Sequence, residues 1–175
     1  DIAIGENNKL KRELSIISSQ PRDAVIADVI HDNNVMGHNT YIINRGATDG
    51  IESGMVVTTM DFQMAGVVID VASRFARVRA LTDADTNIAV RIVGSEVYGF
   101  MTGNGSKYPT MGFFSDPEFQ PSDGLKLITS NISGILPQGI FVGEIVDGYD
   151  VKIVPPAKIS QVMVLKFDTY KNEYK

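Results

Sequence analysis

The amino-acid sequence predicts a mainly β fold: two small antiparallel β-barrel-like domains preceded by an N-terminal coiled-coil helix. Three observations carry that reading. Beyond Pro21 the chain breaks into short β-branched and apolar runs punctuated by Gly, Asn and Asp, the texture of small barrels and sandwiches. Asp49-Gly50, Asn104-Gly105, Asp123-Gly124 and Asp147-Gly148 supply the positive-φ residues that tight turns require. Two stretches also read as divergent copies of one another. Residues 48–58 followed by 66–70, and 122–129 followed by 143–147, each show an Asp-Gly turn, a run ending in Thr, a loop, and Gly before another run.

The elements follow in order. Ala3, Asn7, Leu10, Leu14 and Ile17 alternate at spacings of four and three, the seam of a coiled-coil helix over 1–20. Asn7 sits where a polar residue sets register and favours two strands. Gly5 weakens the helix by about 1 kcal/mol relative to Ala. The plainer alternative is a capping helix packed on the body. Pro21 ends the helix, because the residue before proline is pushed out of the α region.

Twelve strands are expected after it: 24–30, 40–45, 55–59, 63–71, 75–82, 87–93, 96–102, 110–115, 125–129, 141–147, 151–154 and 162–167. Ala76, Val78 and Ala80 oppose Arg77 and Arg79, and Ile88, Val90 and Ile92 oppose Arg91. That is the period of half-buried antiparallel sheets. Gly103-Asn104-Gly105-Ser106 reads as the boundary between a first domain, 22–103, and a second, 104–175. The last strand, 162–167, fits either group, and pairing with the first is one option.

Composition narrows the function. The chain of 175 residues suits one domain or two small ones. A formal charge of −5 with scattered Lys and Arg excludes a duplex nucleic-acid binder. The absence of Cys excludes thiolate catalysis, Cys-ligated zinc and disulfides. No run of 18 apolar residues crosses a membrane here. The chain opens at Asp1 in mid-pattern, so it reads as a fragment whose upstream part is missing, with room there for a membrane anchor.

Chemistry-bearing motifs are lacking. Ser130 and Ser133 lie in no Gly-x-Ser-x-Gly elbow. His31 and His38, with Asp32 between them, match no metal-binding spacing. No Gly-rich segment leads from a strand into a helix as a phosphate cradle does. The expectation is therefore no catalytic residues, no cofactor and no metal. The apolar cluster Tyr108, Met111, Phe113, Phe114 and Phe119 is the candidate partner interface. The alternative is an ordinary strand filling a core.

Several segments, in order, resemble the MreC family of bacterial rod-shape scaffold proteins. They are Glu6 to Leu14, Ile42-Ile43-Asn44-Arg45-Gly46 into Asp49 to Met55, Gly66-Val67-Val68, Leu81-Thr82-Asp83 and Ala89-Val90-Arg91. The most specific runs from Asp123-Gly124 through Thr129-Ser130 to Gly134-Ile135-Leu136-Pro137-Gln138-Gly139 and Val142-Gly143. Asp123-Gly124 stands where the family more often has Gly-Asp, and Asn131 replaces a Gly. The resemblance implies an anchored, extracytoplasmic (periplasmic) protein of the cell-elongation machinery that forms homodimers and larger self-assemblies. It also implies binding of penicillin-binding proteins, with no catalytic residues. The seam Ala3–Ile17 would then be the dimer seam. Two other classes compete: a periplasmic adaptor of an export pump, which lacks its helical hairpin here, and a two-barrel serine hydrolase.

Overall fold

The structure is a computed structural model that describes residues 23–31 and 37–167. The expected helix and its seam, Ala3, Asn7, Leu10, Leu14 and Ile17, lie outside the described residues. Twelve strands are present: β1 (Asp23–His31), β2 (Thr40–Ile43), β3 (Val56–Thr59), β4 (Met64–Val71), β5 (Ala76–Arg79) and β6 (Asn87–Ile92). The chain continues through β7 (Tyr98–Thr102), β8 (Thr110–Phe114), β9 (Lys126–Thr129), β10 (Phe141–Val146), β11 (Asp150–Lys152) and β12 (Gln161–Lys166). Each coincides with an expected strand. Among the described residues, helix is confined to two single 3-10 turns, Ala47–Asp49 and Pro156–Lys158.

The strands close into two six-stranded antiparallel barrels, ordered β1-β12-β3-β4-β5-β2 and β10-β11-β8-β7-β6-β9. Alternation fills both. Ala27, Tyr41, Ile43, Val57, Ala65, Val68, Val78, Val162 and Val164 form the first core. Ile88, Val90, Ile92, Met101, Leu127, Val142, Ile145 and Val151 form the second. Each fully buried Val, Leu or Ile contributes about 1.5–3 kcal/mol from leaving water. Val56 and Met64 on β3 and β4 join the second core. The outer face of that hairpin is thus the seat on which the second barrel rests.

This arrangement corrects the expected boundary at 103–106. β6 and β7 belong to the second barrel, and β12 returns to the first, pairing with both β1 and β3. The first barrel is therefore 23–79 plus 161–166, and the second is 87–152. The glycines that read as a linker are needed for close packing. A Cβ on Gly103 would lie 1.9 Å from the Asp83 carbonyl oxygen, and one on Gly105 would lie 2.6 Å from Gly37 Cα. Both glycines press on the crossover 80–86 or the loop beside it, so no hinge lies there.

The duplicated stretches are equivalent hairpins. The Gly54 N–H donates to Val68 O and the Gly124 N–H to Ile145 O, both at 2.8 Å. The Val68 N–H donates to Met55 O and the Ile145 N–H to Leu125 O. Thr59 and Thr129 match as well: each hydroxyl oxygen accepts from the residue just before the next strand, Gln63 N at 3.2 Å and Ile140 N at 2.9 Å.

Two predictions follow from this packing. A Cβ on Gly143 would sit 2.3 Å from the Lys152 carbonyl oxygen, backbone that cannot yield, whereas one on Gly112 would meet nothing within 4 Å. In chemical denaturation Gly143→Ala should lose about 1–3 kcal/mol, and Gly112→Ala should be within about 0.5 kcal/mol of the parent. Tyr41 lies in the first core, its hydroxyl donating to Ala65 O at 3.0 Å, and burial pushes the phenol above its usual range. A phenol that resists ionisation only when folded leaves stability intact below about pH 10 and erodes it above, where the unfolded chain loses the proton. Tyr41→Phe should flatten that alkaline decline in pH-dependent melts, at a cost of about 1 kcal/mol near neutrality.

Candidate functional site

Two aromatic groups flank β8: Phe113 lies beside Phe100 of β7 on one face, and Phe114 lies beside Phe119 and Tyr149 of the β10–β11 turn on the other. On β8 alternation points Met111 into the barrel, where it is buried. A bulge then falls between the pairs Phe100–Phe113 and Met101–Met111, leaving Gly112 as the extra residue. That extra residue resets the alternation and turns Phe113 outward, 54% exposed. Its ring centroid lies 6.4 Å from that of Phe100. Asp147 (φ 48) and Gly148 (φ 85) make the tight turn foreseen from their residue types, and Tyr149 projects from it, 55% exposed. Phe114 packs against the second core, its ring 6.1 Å from that of Tyr149 and 5.0 Å from that of Phe119.

The five residues expected at an interface therefore divide. Phe113 is open to solvent. Phe114 and Phe119 are half-buried against the second core. Tyr108 is half-buried with the Lys107 ammonium 5.2 Å from its ring centroid. Met111 is a correction: it is core, because the residue before the bulge keeps the inward phase. Phe100, half-buried beside Phe113, and the exposed Tyr149, beside Phe114, are aromatic neighbours that were missed. The Asp147-Gly148 turn was the available signal for Tyr149, since a residue following such a turn at a barrel rim stands clear of the core.

Polar chemistry concentrates at the crossover between β5 and β6. Asp83 is buried, its side chain 2% exposed. Its carboxylate accepts from Asn39 N at 2.7 Å and Asp85 N at 2.8 Å. His38 Nδ1 lies 3.7 Å from Asp83 and 3.5 Å from Asp85, and Arg79 Nε 3.9 Å from Asp83. The ligand atoms of His38, Asp83 and Asp85 fall within 4.8 Å of one another, a spacing open to a metal ion. The bonds present make Asp83 a clasp: it fixes the entry to β2 against the crossover, and Thr82 Oγ1 accepts from Asn39 Nδ2 beside it. Ser130 is buried and its hydroxyl oxygen accepts from Ile132 N at 3.3 Å. Among the described residues no serine hydroxyl is hydrogen-bonded to a histidine. His31 stands exposed at the end of β1.

The fold defines a class of protein: a double β-barrel, here with exposed apolar side chains on its second barrel. The model of the family described as rod shape-determining protein MreC, barrel core, matches residues 29–171. The chain belongs to the MreC family. Cell shape-determining protein MreC of Listeria monocytogenes is 30% identical over 145 residues, covering 80% of this chain and 49% of that protein. The chain thus spans about half the length of the curated relatives it matches.

A solved structure of MreC from the same organism superposes with TM-score 0.75 at 24% identity, covering 94% of this chain and 86% of that one. A structure described as the major periplasmic domain from the cell shape-determining filament MreC gives 0.70 at 20% identity, over 82% and 98%. A complex between penicillin-binding protein PBP2 and MreC from Helicobacter pylori gives 0.59 at 16% identity, over 82% and 99%. At these identities the structures establish the shared fold. Among the described residues no helix is long and apolar enough to cross a membrane, which says nothing of spanning by strands.

Truncation should separate surface from core. Phe113→Ala should shift stability by less than about 1 kcal/mol, while Met111→Ala should cost about 2–5 kcal/mol. Paired thermal melts of the two variants check this, and equal losses would return Phe113 to the core.

Proposed function

We propose that this chain is the extracytoplasmic double barrel of a non-enzymatic scaffold that holds peptidoglycan synthases within the cell-elongation machinery. The observation that carries the reading is the family match over 29–171. The Helicobacter pylori structure, in which an MreC barrel pair is complexed with PBP2, supports a penicillin-binding protein as the partner class. The description of a relative as a cell shape-determining filament supports self-assembly. The segment carrying Ala3, Asn7, Leu10, Leu14 and Ile17 supplies the dimer seam, and an anchor N-terminal to it holds the assembly at the cytoplasmic membrane.

The exposed Phe113, with Phe100 beside it, and the exposed Tyr149 are the residues we assign to the synthase site. Exposed aromatics dominate interface energetics because each buries a large apolar area at little conformational cost. Phe114, backed by Phe119, braces Tyr149, and Phe100 braces Phe113, so both anchors are pre-organised. A scaffold needs that property, since ordering entropy is subtracted from affinity.

The test is capture of the purified elongation penicillin-binding protein of the same organism by the Phe113→Ala/Tyr149→Ala variant. Affinity should fall roughly tenfold or more, as for two aromatic anchors, with an unchanged melt. Undiminished capture by a folded variant would move the synthase site elsewhere. A His38→Ala or Ser130→Ala variant should capture the synthase as the parent does. Loss of capture there with stability preserved would move the synthase site to that side chain.

A further inference from the structure

We infer that the chain is two copies of one six-stranded module, residues 23–92 and 98–166, in which each module's sixth strand closes the other module's barrel. The two halves of the chain are then each other's binding partners, each an open five-stranded barrel that accepts a strand of alternating apolar residues.

The inference rests on register at every seam. Between the closing strand and its neighbour, Val162 opposes Thr59 and Val164 opposes Val57 in the first barrel. In the second, Val90 opposes Thr129 and Ile92 opposes Leu127. The closing strand's other flank repeats: Ala27 faces Val162 as Gly99 faces Val90. In the duplicated hairpins Val57 faces Gly66 as Leu127 faces Gly143. Both hairpins skip one residue at the same place, since Thr58 pairs with Met64 and Ile128 with Phe141, leaving Ala65 and Val142 between pairs.

The remaining seams agree. Val68 faces Val78 as Ile145 faces Val151, and Ile42 faces Arg77 as Thr110 faces Asp150. Val29 faces Ile43 as Met101 faces Met111. A strand that slips by one residue turns its apolar set to solvent, so agreement at six seams has a single economical source. Strands β1–β5 correspond to β7–β11, and β12 corresponds to β6.

Chain order then reveals the exchange. β6 follows β5 directly but lies in the second barrel, while its counterpart β12 follows β11 and lies in the first. The connections 80–86 and 153–160 run in opposite senses between the barrels. The parallel bridge between Gln63 and Phe141 sets the starts of β4 and β10 side by side. Those strands are counterparts, so the bridge lies beside the pseudo-twofold axis that relates the modules. The closing strands are also apolar in the same phase: Val162 and Val164 fill one barrel as Val90 and Ile92 fill the other.

The test uses the whole chain with a protease site inserted in the β6–β7 turn, between Gly94 and Ser95. That turn is at the surface, where a Cβ on Gly94 would meet nothing within 4 Å, and exposed turns tolerate insertion. After cleavage the halves should co-elute in native gel filtration. They should separate only when both barrels are lost, with a melting midpoint that now rises with protein concentration. Separated in denaturant and remixed, they should regain a one-to-one complex. Halves that part under native conditions, or that refold as lone barrels with concentration-independent melts, would overturn the exchange. Should the inserted chain fail to fold before cleavage, the intact chain carries a second measurement. A disulfide from Asp28→Cys/Gln161→Cys staples β12 to β1, exposed residues that face one another. It should raise the denaturation midpoint at β7–β11 as much as at β1–β5. A rise confined to β1–β5 would contradict the inference.

Discussion

The constraint on which the molecule depends is that β12 must return, after the whole second barrel, to fill the gap between β1 and β3. Without it the first barrel is an open five-stranded sheet with two unpaired edges, and edges are templates for unwanted pairing. With it, Val162 and Val164 complete the core of the first barrel, both fully buried. The second barrel is accordingly held at both ends, entering through 80–86 and leaving through 153–160. Rigid-body freedom between domains, the usual expectation for modest interfaces, is removed by covalent connectivity.

The crossover at 80–86 adds a polar lock to this apolar frame. A buried carboxylate is costly unless its oxygens are satisfied, and Asp83 is satisfied by backbone N–H groups at Asn39 and Asp85. Its acceptors orient the entry to β2, and the main chain at Gly103 and Gly105 closes over the same segment. Leu81 beside it belongs to the second core, so one short connection serves polar and apolar packing together.

Much of this was legible in the sequence, for identifiable reasons. Alternation such as Ala76-Arg77-Val78-Arg79-Ala80, bounded by Asp-Gly and Asn-Gly pairs, reports strand existence locally, and all twelve strands were found. The hairpin copies were visible because turn chemistry and the Gly66 and Gly143 close approaches constrain residue type. The boundary was not legible: glycine placed for close packing at Gly103 reads the same as glycine placed for flexibility. The match of β12 to β6 was hidden because the counterparts occupy different places in chain order. The aromatic surface was half legible, since one bulge residue, Gly112, decides whether Met111 or Phe113 faces water.

Cooperativity between the two barrels rests on the strands that cross between them. Native-state hydrogen exchange on the intact chain addresses it most directly, because opening free energies are read strand by strand. The slowest amides of β12 in the first barrel and β6 in the second should exchange through the same global opening, with equal free energies. Exchange of one set tenfold or more faster, a difference of about 1.4 kcal/mol, would show barrels that unfold independently and would contradict the account.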